Sequence, residues 1–254
     1  MTLDSQNPLG MVPDPYAGDH FIFPETLSTD QGRLWLRRAN EIIGFLTISE
    51  LALRESMTKY EQLQRKLNPD TPLKLESSDG RVVVMPVHRF LKQCADGVDV
   101  LCRQVFVMLY GSLETYLFEL LERSFPKVGI TEDLLDRSLE IMMKRKWDGK
   151  LCKMRDVFGL KYQASDLISH FHGFEINIEG RICKNPIDGL DELAQIRHKI
   201  VHASSILEKG GLIFIDAKIF HAYYAFLAKL VDYVDGLFSR RFDYPRIKIN
   251  PGEA

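Results

Sequence analysis

The sequence has few of the features that identify secreted, membrane-spanning or zinc-binding proteins. Only four of its 254 residues are cysteines, and no two of them form a C-x-x-C pair. No stretch approaches the roughly 18 consecutive apolar residues of a transmembrane helix. The N-terminal stretch lacks a basic segment followed by an apolar core, so we do not expect a secretory signal. These absences predict reduced thiols, no membrane association and a cytoplasmic location.

A strong net charge and the common phosphate and nucleophile motifs are also missing. The net charge is −2, so any nucleic-acid site must be a local basic patch rather than a property of the whole surface. The Gly210-Gly211 segment lacks the Lys-Ser/Thr ending of a phosphate-binding loop. His170 and His172 lie near Cys183 in sequence without a second pair of ligands. We therefore expect neither a metal nor a cofactor.

What the sequence does contain is long helical periodicity in an ordinary composition, with 45% hydrophobic residues. Long helical patterns begin near Ser28, which with Thr29 and Asp30 offers an N-cap, and again at Val87. Between them, "LKLESSDGRVVVMP" predicts a hairpin turning at Asp79-Gly80. The predicted fold is mainly α, a bundle of four or five helices with a small β-hairpin insertion.

Composition also suggests how the chain is divided. Gly97 and Gly111 would allow a break in the second long helix, and Thr131 is a candidate N-cap for a later one. The predicted segments are an extended N-terminal arm (1–27), a long helix plus hairpin (28–97), a helical domain (98–240) and a C-terminal tail (241–254).

The most informative motif is "RHKIVH", in a predicted helix that Asp188 can cap and that ends near His202. On a helical wheel, Arg197 falls inside an apolar stripe formed by Leu193, Ile196, Ile200 and Val201. A guanidinium in such a stripe needs an anionic partner, because burying it unpaired is costly. His202 at the helix C-terminus and His198 one turn earlier add titratable groups, and this combination suits a phosphodiester.

The spacing alone has little specificity. Arg81 and His88 give a similar match across a strand and a proline, without the helical context. A surface arginine in a salt bridge beside an ordinary histidine is the simpler interpretation of such a pair.

In its helical context the motif resembles the HEPN superfamily, whose signature is Arg, four to six residues, then His, near the start of a late helix. His198 occupies the position where that family typically has Asn, Asp or His. The following "ASS", the last amphipathic helix and the earlier apolar helix with Glu114 in "YGSLETYLFELL" are also similar. The resemblance covers roughly residues 98–240.

The resemblance implies a homodimeric, metal-independent endoribonuclease of a toxin or anti-phage defence kind, in which motifs from two subunits form one cleft. His202 would act as general base or acid, Arg197 would stabilise phosphoryl charge, and His198 would bind phosphate or orient His202. Glu114 would fix Arg197 or His202, and the apolar stripe would lie in the dimer seam. The family also includes non-catalytic interaction modules, and an antitoxin or regulatory protein is a further expected partner.

A basic segment, "KRKWDGKLCKMR", is a candidate RNA contact. Its cations would follow a phosphate backbone while the indole stacks on a base. The residues proposed for RNA binding are Lys144, Arg145, Lys146, Trp147 and Lys150. A solvated helix–turn surface explains the same composition. The basic C-terminal stretch "SRRFDYPRIKIN" is interpreted as an ordered tail or a partner contact.

Overall fold

The computed structural model shows a mainly α-helical protein with three two-stranded antiparallel sheets among its described residues. It describes residues 26–66, 68, 70–76, 78–129, 139–140, 142–178, 181–202, 213–245 and 247–248. The predicted arm up to residue 25, Thr131, the "ASS" segment and the last six residues lie outside these ranges. Nowhere in the described part of the chain does a helix carry the continuous apolar stretch that a membrane span requires.

The described residues form six α-helices and six short strands. The helices are α1 (Asp30–Gln64), α2 (Val87–Ser124), α3 (Trp147–Phe158), α4 (Ala164–His170), α5 (Pro186–Val201) and α6 (Ala217–Phe242). The strands are β1 (Thr26–Leu27), β2 (Pro72–Glu76), β3 (Val82–Pro86), β4 (Ile176–Ile178), β5 (Arg181–Cys183) and β6 (Ile247–Lys248). A 3-10 turn, Phe125–Val128, continues α2.

Helix α2 lies in contact with α1, α5 and α6 and is the centre of the fold. It runs without interruption through Gly97 and Gly111, so the expected break is absent. A glycine costs a helix about 1 kcal/mol relative to alanine. The buried side chains along α2, which include Phe106, Tyr110 and Leu117, outweigh that cost because they pack into the common core.

The long first helix belongs to that same core. Trp35 on α1 stacks on Tyr224 of α6, with ring centroids 6.2 Å apart, and both side chains are buried. The predicted boundary between residues 97 and 98 falls inside the continuous helix α2.

The hairpin prediction is confirmed, and the strands at the two ends of the described chain meet. Strands β2 and β3 pair antiparallel across the turn, where Gly80 adopts a positive φ of 78°. Strand β1 pairs with β6, and Leu27 is fully buried. The last two residues of the predicted arm therefore pair with Ile247 and Lys248 of the predicted tail. A second hairpin, β4–β5, precedes α5.

A buried carboxylate fixes the start of α1 against α6. Asp235 is 2% exposed and accepts bonds from the main-chain N–H of Ser28 (2.6 Å) and Thr29 (3.0 Å) and from the Thr29 hydroxyl. Thr29 is also the N-cap of α1, since its Oγ1 accepts from Gly32 N–H. A Cβ at Gly32 would lie 2.6 Å from Asp235 Oδ1, so this approach requires glycine. Burial raises the pKa of Asp235, and the hydrogen bonds from Thr29 and Ser28 oppose that shift.

We predict that Asp235→Ala lowers the free energy of unfolding by about 3 kcal/mol, because buried donors lose their acceptor. Urea unfolding followed by circular dichroism measures the change. Asp156→Ala is the matched control: Asp156 is exposed and pairs with its neighbour Arg155, so its loss should cost under about 0.5 kcal/mol. Equal midpoints for the two variants would contradict the structural role of Asp235.

Candidate functional site

Helix α5 presents the "RHKIVH" motif at its C-terminal end. Asn185, not Asp188, is the N-cap, because the Asn185 side chain accepts from Ile187 N–H at 3.0 Å and Pro186 opens the helix. Asp188 lies in the first turn, where its charge complements the helix dipole. His202 is the C-cap, and its N–H donates to the His198 carbonyl at 3.0 Å.

The apolar stripe of α5 is occupied by the chain's own core. Leu193, Ile196 and Ile200 are buried in the same cluster as residues of α2 and α6, whereas Val201 is exposed. The expectation that this stripe forms a dimer seam is therefore wrong, because the surface it would use is already covered within one chain. Arg197 faces α2 of its own chain instead.

Arg197 pairs with Glu114 on α2. The distance from Arg197 Nη2 to Glu114 Oε2 is 3.5 Å, and each side chain is about one-third exposed, at 33% and 35%. Arg197 Nε is buried and has no hydrogen-bond partner among the described residues. The guanidinium thus has an acidic neighbour, and about one-third of the Arg197 side chain is exposed and can approach an anion.

His198 and His202 lie side by side on the exposed surface of α5. Their ring centroids are 4.4 Å apart, with the planes inclined by 50°. The four-residue spacing places them on one face of the helix end, next to Arg197 in sequence. An imidazole can accept or donate a proton near neutral pH, so the pair can perform acid–base chemistry.

Trp147, the first residue of α3, joins three helices beside the Arg197–Glu114 pair. Its main-chain N–H donates to Asp191 of α5 at 2.9 Å, and its indole N–H donates to the Tyr110 hydroxyl of α2 at 3.1 Å. Burial raises the pKa of Tyr110, with further contributions from the charges of Glu114 and Asp191. Tyr110, Asp191 and Glu114 therefore share one polar cluster, which we call the α2–α3–α5 cluster.

Lys150 completes this cluster. It is 6% exposed, and its ammonium lies 4.7 Å from the centre of the Trp147 ring. Burial lowers the pKa of Lys150, while the charges of Glu114 and Asp191 act in the opposite direction. The buried Lys150 ammonium therefore contributes positive charge to the cluster, beside the indole and near the two acids.

These positions divide the predicted RNA contacts into two groups. Trp147 is 1% exposed and cannot stack on a base, and the buried Lys150 cannot follow a phosphate backbone. The Trp147 indole packs inward and donates to Tyr110 of α2, and the Lys150 ammonium lies over the Trp147 ring. Lys144, Arg145 and Lys146 are exposed just before α3, with Lys144 paired to Glu140 at 2.5 Å. Only these three remain available to RNA.

Two residues of the cluster, Tyr110 and Asp191, are not among the site residues predicted from the sequence. Tyr110 precedes Glu114 by four residues on α2, a spacing that places both on one helix face and was a usable signal. Asp191 is an acid near the start of a helix, a common position that does not mark it as a site residue. Its bond to the main chain of Trp147 exists only because α3 docks on α5.

The described residues contain no group of three or more His, Cys, Asp or Glu side chains that could hold a metal. His170 instead lies against α6, where its Nε2 is 3.1 Å from the Lys229 carbonyl oxygen and 3.4 Å from an Asp232 oxygen. His172 sits in the turn that follows α4. All four cysteines are free thiols.

Comparisons of the chain with family models, with curated proteins and with solved structures each found no match.

We predict that Trp147→Phe lowers the free energy of unfolding by about 1–2 kcal/mol more than Trp35→Phe does, because Tyr110 loses its bonded donor. Trp35 is the matched control, since it is equally buried but its indole nitrogen has no hydrogen-bond partner among the described residues. Urea unfolding of both variants measures the difference. Equal losses would show that the Trp147–Tyr110 bond contributes nothing beyond packing.

Proposed function

We propose that the protein is a metal-independent endoribonuclease that acts as a homodimer. The observation that carries the proposal is the partly exposed Arg197 guanidinium, paired with Glu114, on the same helix end as the exposed His198–His202 pair. The resemblance of the motif to HEPN ribonucleases supports RNA as the substrate. It also suggests a cytoplasmic toxin or anti-phage defence role, with an antitoxin or regulatory protein as a further partner.

The chemistry is transfer of the phosphoryl group within RNA. A ribose 2′-hydroxyl oxygen attacks the adjacent phosphorus, its proton passes to a histidine, and the bond from phosphorus to the 5′-oxygen breaks. A second histidine protonates the departing 5′-oxygen, which yields a 2′,3′-cyclic phosphate and a 5′-hydroxyl. Arg197 stabilises the extra negative charge on the phosphoryl oxygens in the transition state.

The orientation of the motif favours a cleft built from two chains. Arg197 turns towards α2, whereas His198 and His202 face outward, so one chain presents the guanidinium and the imidazoles in different directions. A phosphate between two copies would be reached by groups from both. In such a two-fold symmetric dimer, each active site would contain residues from both chains.

The exposed face of α2 next to Glu114 is a suitable surface for that dimer. Met108 and Phe118 are 52% and 41% exposed. Between them lies Gly111, where the described residues place no atom within 4 Å of an added Cβ. Two large apolar side chains flanking a glycine allow close approach of a second helix, and burying them would stabilise association. The same surface would serve a non-catalytic interaction module, which is the alternative function.

We predict that wild-type protein cleaves structured or single-stranded RNA in EDTA, leaving cyclic phosphate ends. His202→Ala should reduce the rate about 10²–10⁴-fold through loss of proton transfer. Arg197→Ala should reduce it about 10²–10³-fold through loss of charge stabilisation. The rates come from gel assays, with end-group analysis of the products.

Arg81→Ala and His88→Ala are matched controls, because both residues belong to the exposed hairpin region and form pairs with Asp79 and Asp70. They should cleave at the wild-type rate. Equal cleavage by all variants would reject the site. If neither wild type nor controls cleave any RNA tested, the interaction module becomes the better interpretation.

We predict that Gly111→Arg converts the dimer to monomer and reduces RNA cleavage by at least about tenfold, because the new side chain blocks helix approach. Gly97→Arg is the matched control: it lies on the same helix, also with no described atom within 4 Å of an added Cβ. Sedimentation velocity measures the oligomeric state. A monomeric wild type, or a Gly111→Arg variant that remains dimeric and active, would contradict the proposed seam.

A further inference from the structure

A basic cavity of about 520 Å³ lies at the start of α1, away from the Arg197 site. Three of its lining residues are cationic, namely Arg33, Arg123 and Lys127, and Asp30 is its one lining carboxylate among the described residues. Arg123 and Glu114 are nine residues apart on α2, which is about 14 Å of helix rise and the opposite face. The cavity is therefore a separate site from the one that contains Arg197.

Arg123 and Lys127 are each held in place by a neutral side chain of the protein. Gln31 is buried, and in the amide orientation that satisfies both groups its oxygen accepts from Arg123 Nη1 at 3.0 Å and Nε at 2.8 Å. Lys127 donates to the Tyr244 hydroxyl, and its ammonium lies 4.1 Å from the centre of the Tyr244 ring. Positioned cations bind an anion with less loss of side-chain entropy than free surface lysines do.

The positive charge of the cavity is not neutralised by the described protein. Asp30 pairs with Arg33, whose other contacts are the carbonyls of Leu27 and Ser28. Within the described ranges, Arg123 and Lys127 make no ion pair with a carboxylate. The first turn of α1 adds the positive end of its dipole. The hydroxyl oxygen of Ser28, a lining residue, is buried without a hydrogen-bond partner among these residues.

We propose that this cavity binds the phosphate group of a small phosphomonoester of nucleotide size. Arg123 presents the planar donor geometry that matches phosphate oxygens, and Lys127 supplies a point charge. A volume of about 520 Å³ exceeds what a phosphate alone requires and lies in the range of small-ligand pockets. Tyr244 and Pro245 at the rim offer apolar surface to the organic part of the ligand. This proposal is independent of ribonuclease activity.

The test is isothermal titration calorimetry of the full chain with adenosine 5′-monophosphate, inorganic phosphate and adenosine. We expect saturable binding of the first two probes and none of adenosine. Lys127→Gln and Arg123→Gln should each weaken binding of the monophosphate by at least about tenfold. Lys92→Gln is the matched control, because Lys92 is exposed on α2 far from the cavity and should leave binding unchanged. Thermal unfolding confirms that each variant is folded.

Three results would overturn the proposal. The first is that neither the monophosphate nor phosphate binds at about 5 mM. The second is that adenosine binds as tightly as the monophosphate. The third is that both folded variants bind the monophosphate with the wild-type affinity. A 5′-hydroxyl oligoribonucleotide tests the other source of phosphate groups, the RNA backbone. If it binds with the same dependence on Lys127 and displaces the monophosphate, the cavity is an RNA backbone site and the small-ligand assignment is rejected.

Discussion

The position of Trp147 is the constraint on which the candidate site depends. One residue donates through its main chain to Asp191 on α5 and through its indole to Tyr110 on α2, and it begins α3. The bond to Tyr110 is buried and the bond to Asp191 is partly buried, so breaking either bond costs free energy. Three helices are consequently held in one arrangement. This arrangement sets the distance between Arg197 on α5 and Glu114 on α2.

Helix α2 links this cluster to the rest of the molecule. Its buried face packs against α1, α5 and α6. The hydrogen bonds from Ser28 and Thr29 to Asp235 fix the start of α1 against α6. Two polar regions therefore lie on one helix: Glu114 in its C-terminal half and Arg123 at its end. The Glu114 region borders exposed apolar side chains, whereas the Arg123 region borders a cavity. The partners that we propose for them differ accordingly: a second chain for the first region and a small anion for the second.

Much of the helical fold could be predicted from local pattern. The hairpin at Asp79-Gly80 and the end of α5 at His202 follow from turn chemistry and apolar periodicity. Local pattern also placed the N-cap of α1 at Ser28, Thr29 or Asp30, and the structure selects Thr29. The break expected at Gly97 and Gly111 is absent because buried neighbours outweigh the cost of two glycines. The seam expected around Leu193 and Ile196 failed for a related reason: periodicity identifies a face that must be buried, but does not identify what covers it.

The amino-acid sequence by itself determined which segments are helical, and placed Arg197, His198 and His202 at the end of one helix. These outcomes depend on interactions over a few residues, which a linear pattern contains. Only the tertiary structure decided that Glu114 is the partner of Arg197, and that Trp147 and Lys150 face inward. It also brought Arg33 and Arg123 to one cavity. These contacts join residues far apart in the chain, and their energies depend on which helices dock and which polar groups lose water.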